Sequence, residues 1–413
     1  MGDGTVADNR SRVLAATIGN ALEWYDFVVF GLFLGPISAA FFPTTDKTTA
    51  ILLATATFGS GFVTRPLGAL LIGRWADVGG RRAALTLVMG LMCLGTALIA
   101  FTPGYATLGL AAPVAIVTGR LIQGLSAGGE LGPTTAYLIE IAPAGQRRRY
   151  ASFQVVGQFA AILVGLALGA AVTTLMPGSS WAWRLPFVLG LIIGPIGAYI
   201  RATAVEPGEF QRAARSGWSA LAGQGKALAA LFGMTVFATS STYVLLTYMP
   251  TYASRFLGFD AASSFIAVIG GVLVGIGMSV IIGRRVDHGD PRRLALGAAL
   301  VAAILAYPLL RLTSDSPTLG ALLLAEIILS GLSATYAAAV IGIGAELLPA
   351  AIRSTGLSVG YNLGVVIMGG FSPFVVTLLM SRTGDALSAA YYVVAAALIS
   401  AAALTLLKSP SRT

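Results

Sequence analysis

The pattern Glu140-x-x-Pro143-x-x-x-Arg147 recurs as Glu346-x-x-Pro349-x-x-x-Arg353, with every member displaced by 206 residues. An offset of half the length makes this 413-residue chain two related halves. A second signature repeats less faithfully. Gly73 to Arg82 reads G-R-W-A-D-V-G-G-R-R and fits G-x-x-x-D-x-x-G-R-R. Its worn copy keeps Gly283, Asp287, Arg292 and Arg293. Both signatures stand at the ends of long apolar segments, so the chain reads as a duplicated membrane protein. That is an architecture suited to moving solutes.

Hydrophobic residues make up 56% of the chain and charged residues 10%, where soluble domains carry about 25% charged. The mean hydropathy of +0.84 points the same way. The length accommodates about twelve spans of roughly 20 to 25 residues. They are expected near 13–41, 49–74, 83–101, 109–141, 150–176 and 182–201 in the first half. In the second half they are expected near 227–250, 263–283, 294–312, 319–346, 352–380 and 387–407. Only helices satisfy their own backbone in lipid, and the alternating strands of a barrel are missing. The one long internal polar stretch, 202–226, holds Glu206, Pro207, Glu209, Arg212, Arg215 and Lys226. It divides an N-terminal bundle, 1–201, from a C-terminal bundle, 227–413.

The net charge of +9 is distributed by side of the membrane. With the N-terminus inside, 19 of the 26 Lys and Arg fall in cytoplasmic segments. Lys47, Arg184, Arg255, Arg311 and Arg382 fall outside, and Arg65 and Arg120 within spans. That asymmetry places both termini in the cytoplasm and argues against nucleic acid as a partner. The polar start leads directly into a span too long for a signal peptide. One cysteine, Cys93, and one histidine, His288, leave no disulfide, metal cluster or Cys-His hydrolase site. No G-x-x-x-x-G-K-[ST] loop is present, so neither ATP nor any other cofactor is expected.

The Gly73–Arg82 motif and its worn repeat resemble the signature loops of the major facilitator superfamily. Within it, Gly19-Asn20-x-x-Glu23-x-x-Asp26-Phe27, Arg65-Pro66-x-Gly68 and Gly119-Arg120-x-x-Gln123-Gly124-x-x-x-Gly128-Gly129-Glu130 are similar to the metabolite–proton symporters. Phe58-Gly59-Ser60-Gly61-Phe62 and Phe101-Thr102-Pro103-Gly104-Tyr105-x-Thr107-x-Gly109-Leu110-Ala111-Ala112-Pro113 resemble the citrate–proton symporters among them. The resemblance implies an all-α membrane protein, with twelve transmembrane helices in two pseudo-symmetric six-helix bundles. It implies proton-coupled import of citrate or a related di- or tricarboxylate by alternating access, by a monomer in the bacterial inner membrane. The expected partners are a small organic anion, protons and the lipid bilayer. Import of a zwitterionic osmolyte or a shikimate-like acid is the alternative, since span one fits those relatives too. A membrane enzyme lacks a legible nucleophile–base pair, and the six-plus-six plan argues against a channel. His288, Asp290 and Pro291 interrupt the family pattern in the second loop.

Charged groups inside spans are costly unless paired or hydrated, so each is a functional candidate. They are Glu23, Asp26, Arg65, Arg120, Glu130 and Glu326. Arg120, Gln123, Ala127 and Glu130 share one helical face, extended by Thr134 and Tyr137, and read as a cavity lining. In the implied fold spans one, four, seven and ten line the cavity. Asn20, Tyr243, Tyr248, Ser330, Tyr361 and Asn362 then join Arg120 and Gln123 as substrate-binding candidates. Arg120 offers a planar fork for a carboxylate; the competing role is an ion pair with Asp26. Asp26 is the leading proton carrier, with Glu23 and Glu130 next and Glu326 the fourth proton-coupling candidate. The repeat offset carries Arg120 onto Glu326, which makes a cross-half pairing one option and a local partner the other. Asp77, Arg81, Arg82, Arg147 and Arg353 are expected to latch the cytoplasmic gate, and Arg65 to act in structure or gating.

Overall fold

The computed structural model describes residues 3–79, 81–128, 131–143, 145–191, 223–349 and 352–407. The expected linker falls almost wholly outside these residues, as does Glu130, and so do the side chains of Glu23, Asp77, Arg81 and Arg82. Among the described residues the regular structure is all helical.

Two expected spans are broken among the described residues, each where proline demands it. A proline removes one backbone donor and its ring clashes with the carbonyl four residues earlier. Pro36 ends α1 (Asp3–Leu32) at Phe33, and α2 (Leu34–Phe41) leaves at a 62° bend. Pro66 likewise separates α3 (Lys47–Val63) from α4 (Arg65–Gly79). The Asp46 carboxylate caps α3 by accepting from the Thr48 and Thr49 amides, each at 3.0 Å. Next come α5 (Arg81–Phe101), the single turn α6 (Tyr105–Leu108) and α7 (Ala111–Ala127). Pro133 stands in the first turn of α8 (Leu131–Glu140), which completes span four. The first half ends in α9 (Arg147–Leu175) and α10 (Ala182–Leu191).

The second half begins with α11 (Gly225–Ser241), which passes through a π-helical segment (Thr242–Tyr248) into α12 (Met249–Phe256). Then follow α13 (Ala261–Arg285), α14 (Pro291–Asp315) and α15 (Leu319–Glu346). The residues that interrupt the family loop serve to start a helix. Asp290 caps α14 by accepting from the Arg292 amide at 3.0 Å, and Pro291 takes the first helical position. Finally, α16 (Arg353–Gly364) continues through a second π segment (Val365–Gly370) to α17 (Ser372–Thr383), and α18 (Ser388–Leu406) closes the chain.

Seven helices among the described residues are long and apolar enough to cross a membrane. Within the first half α1 packs on α9 and α5 on α7; within the second, α15 packs between α13 and α14. The halves meet along α9 and α13. A Cβ on Gly275 would come within 2.1 Å of the Phe159 ring, and one on Gly283 within 2.1 Å of Ser152 Oγ. Glycine there lets the two helices touch.

Candidate functional site

A cavity of about 710 Å³, including its mouth, lies between the halves. Its polar lining is Thr135 from α8, Gln154 and Gln158 from α9, Thr235 and Thr239 from α11, and Tyr361 from α16. Trp24 roofs it, and Leu231, Met234, Val340 and Leu357 supply apolar wall. Gln154 is the best-placed donor. Its side chain is buried, its Oε1 bonds the Thr135 hydroxyl, and its Nε2 has no hydrogen-bond partner. The Asn20 amide holds the Gln154 carbonyl at 3.1 Å. Gln158 Nε2 donates across the halves to Thr242 Oγ1 at 3.4 Å. A buried donor without an acceptor is costly, so the cavity wall is prepared for a ligand oxygen.

Beyond Trp24 an aromatic layer closes the cavity. Trp24 stacks on Tyr243 at 6.2 Å, and Tyr243 meets Phe58 and Phe62 edge-on at 5.6 and 5.1 Å. Tyr243 belongs to the second half and the other three to the first, so the layer is also a seam. Behind it lies Arg120, with no exposed surface. Its guanidinium carbon sits 4.8, 4.7 and 5.1 Å from the Phe27, Phe30 and Phe58 ring centres, a set of cation–π contacts that offsets part of its desolvation. Nη1 donates to Gln123 Oε1 at 2.9 Å and Nη2 to the Phe58 carbonyl at 3.1 Å, while Nε has no partner. Gly61 makes room: a Cβ there would stand 2.9 Å from Nη2.

Gln123 passes the connection onward, donating to Thr96 Oγ1 at 2.9 Å. Thr96 in turn bonds the buried Asp26 carboxylate, whose Oδ1 has no partner. Asp26 and Arg120 are therefore joined through two side chains and form no direct ion pair. Arg65 is buried against the same aromatics, 4.3 Å from the Phe27 ring centre and 4.6 Å from that of Phe62.

The expected polar stripe on span four is thus divided. Thr135 faces the cavity, but Arg120 and Gln123 stand behind the aromatic layer, about 20 Å further along the helix axis. Of the other candidates whose side chains are described, only Tyr361 lines the cavity. Asn20 supports Gln154. Asn362 donates to the Gly128 carbonyl across the halves at 3.1 Å. Tyr248 bonds Thr377 at 2.6 Å within the second half. Glu326 stays with its own half: Ser330 donates to its Oε2 at 3.3 Å, and Arg120 makes no contact with it. A local partner is the arrangement found, and no direct pairing of Glu326 with Arg120 is formed.

At the far end of the cavity the halves are bridged. Arg148 Nε and Nη2 donate to the two Glu346 oxygens at 3.0 and 2.8 Å. The Asp287 carboxylate accepts from the backbone amides of Arg148 and Arg149 at 3.0 and 3.3 Å. The Gln146 side chain does not cap α9, so the second half supplies that cap through the worn loop. Arg147, the arginine of the repeated motif, is exposed while its neighbour makes the bridge. Arg353 starts α16. Sequence reasoning missed Arg148, Gln154 and Gln158. The last two carried a signal, since paired amides four apart in an apolar helix share one face.

The chain matches the family model described as "Sugar (and other) transporter" over residues 12–210. It is 33% identical to a citrate-proton symporter of Klebsiella pneumoniae over 94% of this chain and 89% of that protein. An alpha-ketoglutarate permease of Escherichia coli is 32% identical over 91% of this chain and 89% of its own length. Among solved structures, that of a D-xylose-proton symporter superposes with a TM-score of 0.78, covering 97% of this chain and 98% of that one at 18% identity. That likeness establishes the fold, two bundles of six helices.

Proposed function

Because the chain belongs to the major facilitator superfamily and, within it, to the metabolite–proton symporters, we propose that it imports citrate or a related di- or tricarboxylate together with protons. It is a proton-coupled symporter of an organic anion. One observation carries the substrate reading in the structure: a fully buried arginine, Arg120, keeps one donor unpaired and forms no ion pair with any carboxylate among the described residues. An uncompensated cation in the membrane interior is costly, and a substrate carboxylate is the group that removes the cost.

The residues support an order of events. In the outward-facing state the substrate carboxylate takes the Arg120 fork, and Asp26 takes a proton. Proton and anion bind together because each leaves the other's site neutral. The halves then rock about the seam at Tyr243, and the Gln154 amide receives a substrate oxygen as the cavity opens inward. The Arg148–Glu346 bridge and the Asp287 cap close that end again for the return. We assign that end to the cytoplasm, from the arginine-rich loops there, and place the protein in the bacterial inner membrane with both termini inside. Since one chain supplies both gates and the cavity, we assign the monomer as the working unit.

The test is uptake of labelled citrate into proteoliposomes under an acid-outside pH gradient, with competitors. Citrate or tricarballylate should displace the label and collapse of the gradient should stop accumulation. Displacement by α-ketoglutarate in preference to citrate moves the substrate to the 2-oxo dicarboxylates, for which the second relative speaks. Displacement by glycine betaine alone overturns the carboxylate reading.

A further inference from the structure

Arg65 has no role in the cycle so far, yet it is a second buried cation beside Arg120. Glycines bring the two together. Span two breaks at Arg65, and α7 lies against that break backbone to backbone. A Cβ on Gly124 would stand 1.9 Å from the Gly61 carbonyl oxygen, and one on Gly128 1.9 Å from that of Arg65. A Cβ on Gly68 would meet the Leu125 carbonyl oxygen equally closely. The Thr64 hydroxyl donates to the Leu121 carbonyl at 2.7 Å, which ties the break to the residue after Arg120. Larger side chains at these glycines would hold spans two and four apart.

The two guanidinium groups share their aromatic neighbours. Arg65 stands 4.3 Å from the Phe27 ring centre and 4.6 Å from that of Phe62; Arg120 stands 4.8 and 6.0 Å from the same two. Their common distance to Phe27 keeps the guanidinium carbons no more than about 9 Å apart. Each arginine has a buried Nε without a hydrogen-bond partner. Among the described residues neither forms an ion pair. Like charges this close repel strongly in a low-dielectric interior, and ring faces offset only part of that cost. A ligand with two negative charges offsets it for both cations at once.

We propose that Arg65 and Arg120 together clamp two carboxylates of one substrate molecule, so that Arg65 selects di- and tricarboxylates over monocarboxylates. The proposal rests on the carboxylate reading and deepens it, since Arg120 alone would accept any organic anion. Citrate and tricarballylate each carry carboxyl groups at the two ends of a three-carbon chain, roughly 5 Å apart when extended. A charge-assisted hydrogen bond adds about 2.8 Å at either end. One molecule therefore reaches both forks once the Phe27 ring has turned aside, and the two cations exchange ring contacts for carboxylates.

The test compares citrate with its 1,5-diamide, which keeps the shape and the hydroxyl but only one carboxylate. Affinities are measured by calorimetry on the purified full chain. The wild type should prefer citrate by at least about 30-fold, as the loss of one buried charged contact requires. In Arg65→Gln the preference should shrink to about threefold, the statistical advantage of three carboxylates over one. A role in structure or gating alone would weaken both ligands alike and keep the wild-type preference; that result overturns the clamp, as does a wild type that binds the two equally. Arg65→Lys keeps the cation without the planar fork and serves where Arg65→Gln does not fold. Its preference should lie below that of the wild type, and an undiminished one overturns the clamp. If the uptake assay moves the substrate to α-ketoglutarate, that acid and its 5-amide take the place of the pair. A wild type that binds no carboxylate at all overturns the carboxylate reading itself, whereas an undiminished preference in Arg65→Gln removes the clamp and leaves that reading standing.

Discussion

The bridge at the end assigned above to the cytoplasm has two components whose strengths the structure separates. The Arg148–Glu346 pair is bidentate but open to solvent, the side chains being 22% and 46% exposed. Exposed ion pairs contribute about 0.2 to 1 kcal/mol, so Glu346→Gln should shift the balance between inward-open and inward-closed states by roughly 1.5- to 5-fold. Asp287 does something else. It accepts from two amides at the start of α9 and sets a negative charge against the positive end of that helix. Losing such a cap costs about 0.5 to 2 kcal/mol, and the charge against the helix dipole adds about 0.3 to 1 kcal/mol. Asp287→Asn keeps one of the two acceptor oxygens and loses the other together with the charge, whereas Asp287→Ala loses both acceptors and the charge. The expected order of effect is Asp287→Ala greatest, with Asp287→Asn and Glu346→Gln smaller. A reporter cysteine on the cavity wall, Ala337→Cys in a Cys93→Ser background, reads the balance through its labelling by an impermeant maleimide from the cytoplasmic face of oriented vesicles. Labelling should rise in that order, and the Glu346→Gln effect should vanish in high salt, where exposed pairs are screened. Unchanged labelling in Asp287→Ala would refute the cap as a gate component, and a larger effect for Glu346→Gln would refute the energetic ranking.

Arg120→Lys keeps a charge but not the fork, and citrate affinity measured by calorimetry should fall by the about 2 to 5 kcal/mol typical of a broken buried charged contact; Arg120→Ala should stay monodisperse and bind nothing detectable. Wild-type binding by Arg120→Lys together with aggregation of Arg120→Ala marks the residue as structural instead. Asp26→Asn should abolish pH-driven accumulation yet retain counterflow between preloaded vesicles, and retained accumulation moves the coupled proton elsewhere. Gln154→Met removes one donor from the cavity wall, so affinity should drop by about 2- to 12-fold, as a lost hydrogen bond of about 0.5 to 1.5 kcal/mol requires, and thermal unfolding should show the fold intact; unchanged affinity excludes Gln154 from the substrate site.

Duplication, span number and the buried charges were legible because each is a pattern in composition or spacing: a fixed offset, runs of apolar residues, isolated ionisable groups. Positions of contact were not, because they depend on where helices begin and how halves dock. Three consecutive arginines, Arg147 to Arg149, are equivalent in sequence. Only the start of α9 at Arg147 decides that Arg148 points at Glu346. Spans one and two were expected to be unbroken, although the prolines at positions 36 and 66 carried the signal of their breaks, since proline forbids an uninterrupted helix. The polar stripe on span four was read as one surface, because spacing does not show which rings of other helices stand between its members: Thr135 is at the cavity and Arg120 is behind the aromatic layer.

The repeat offset matches positions, but the two halves put different chemistry on them, and that difference is what a one-directional coupling needs. Position 120 carries a cation caged by aromatics, and its counterpart at 326 carries a buried carboxyl group tied to a serine. The motif glutamate at 346 reaches across the seam to Arg148. The loop aspartate at 287 caps a helix of the first half, although its own loop has lost much of the family pattern. If both halves carried the same charge at the same depth, a bound anion would have two equivalent anchors and no preferred order of release. With the arginine in one half and the carboxyl group in the other, the anion site proposed above lies on the first-half side of the Tyr243 seam and has no equivalent in the second half. Exchanging the two, Arg120→Glu with Glu326→Arg, should therefore not restore transport even if the doubly substituted protein folds. Recovered pH-driven uptake in that swap would mean that the pair acts through net charge alone, and the division of labour between the halves would fall.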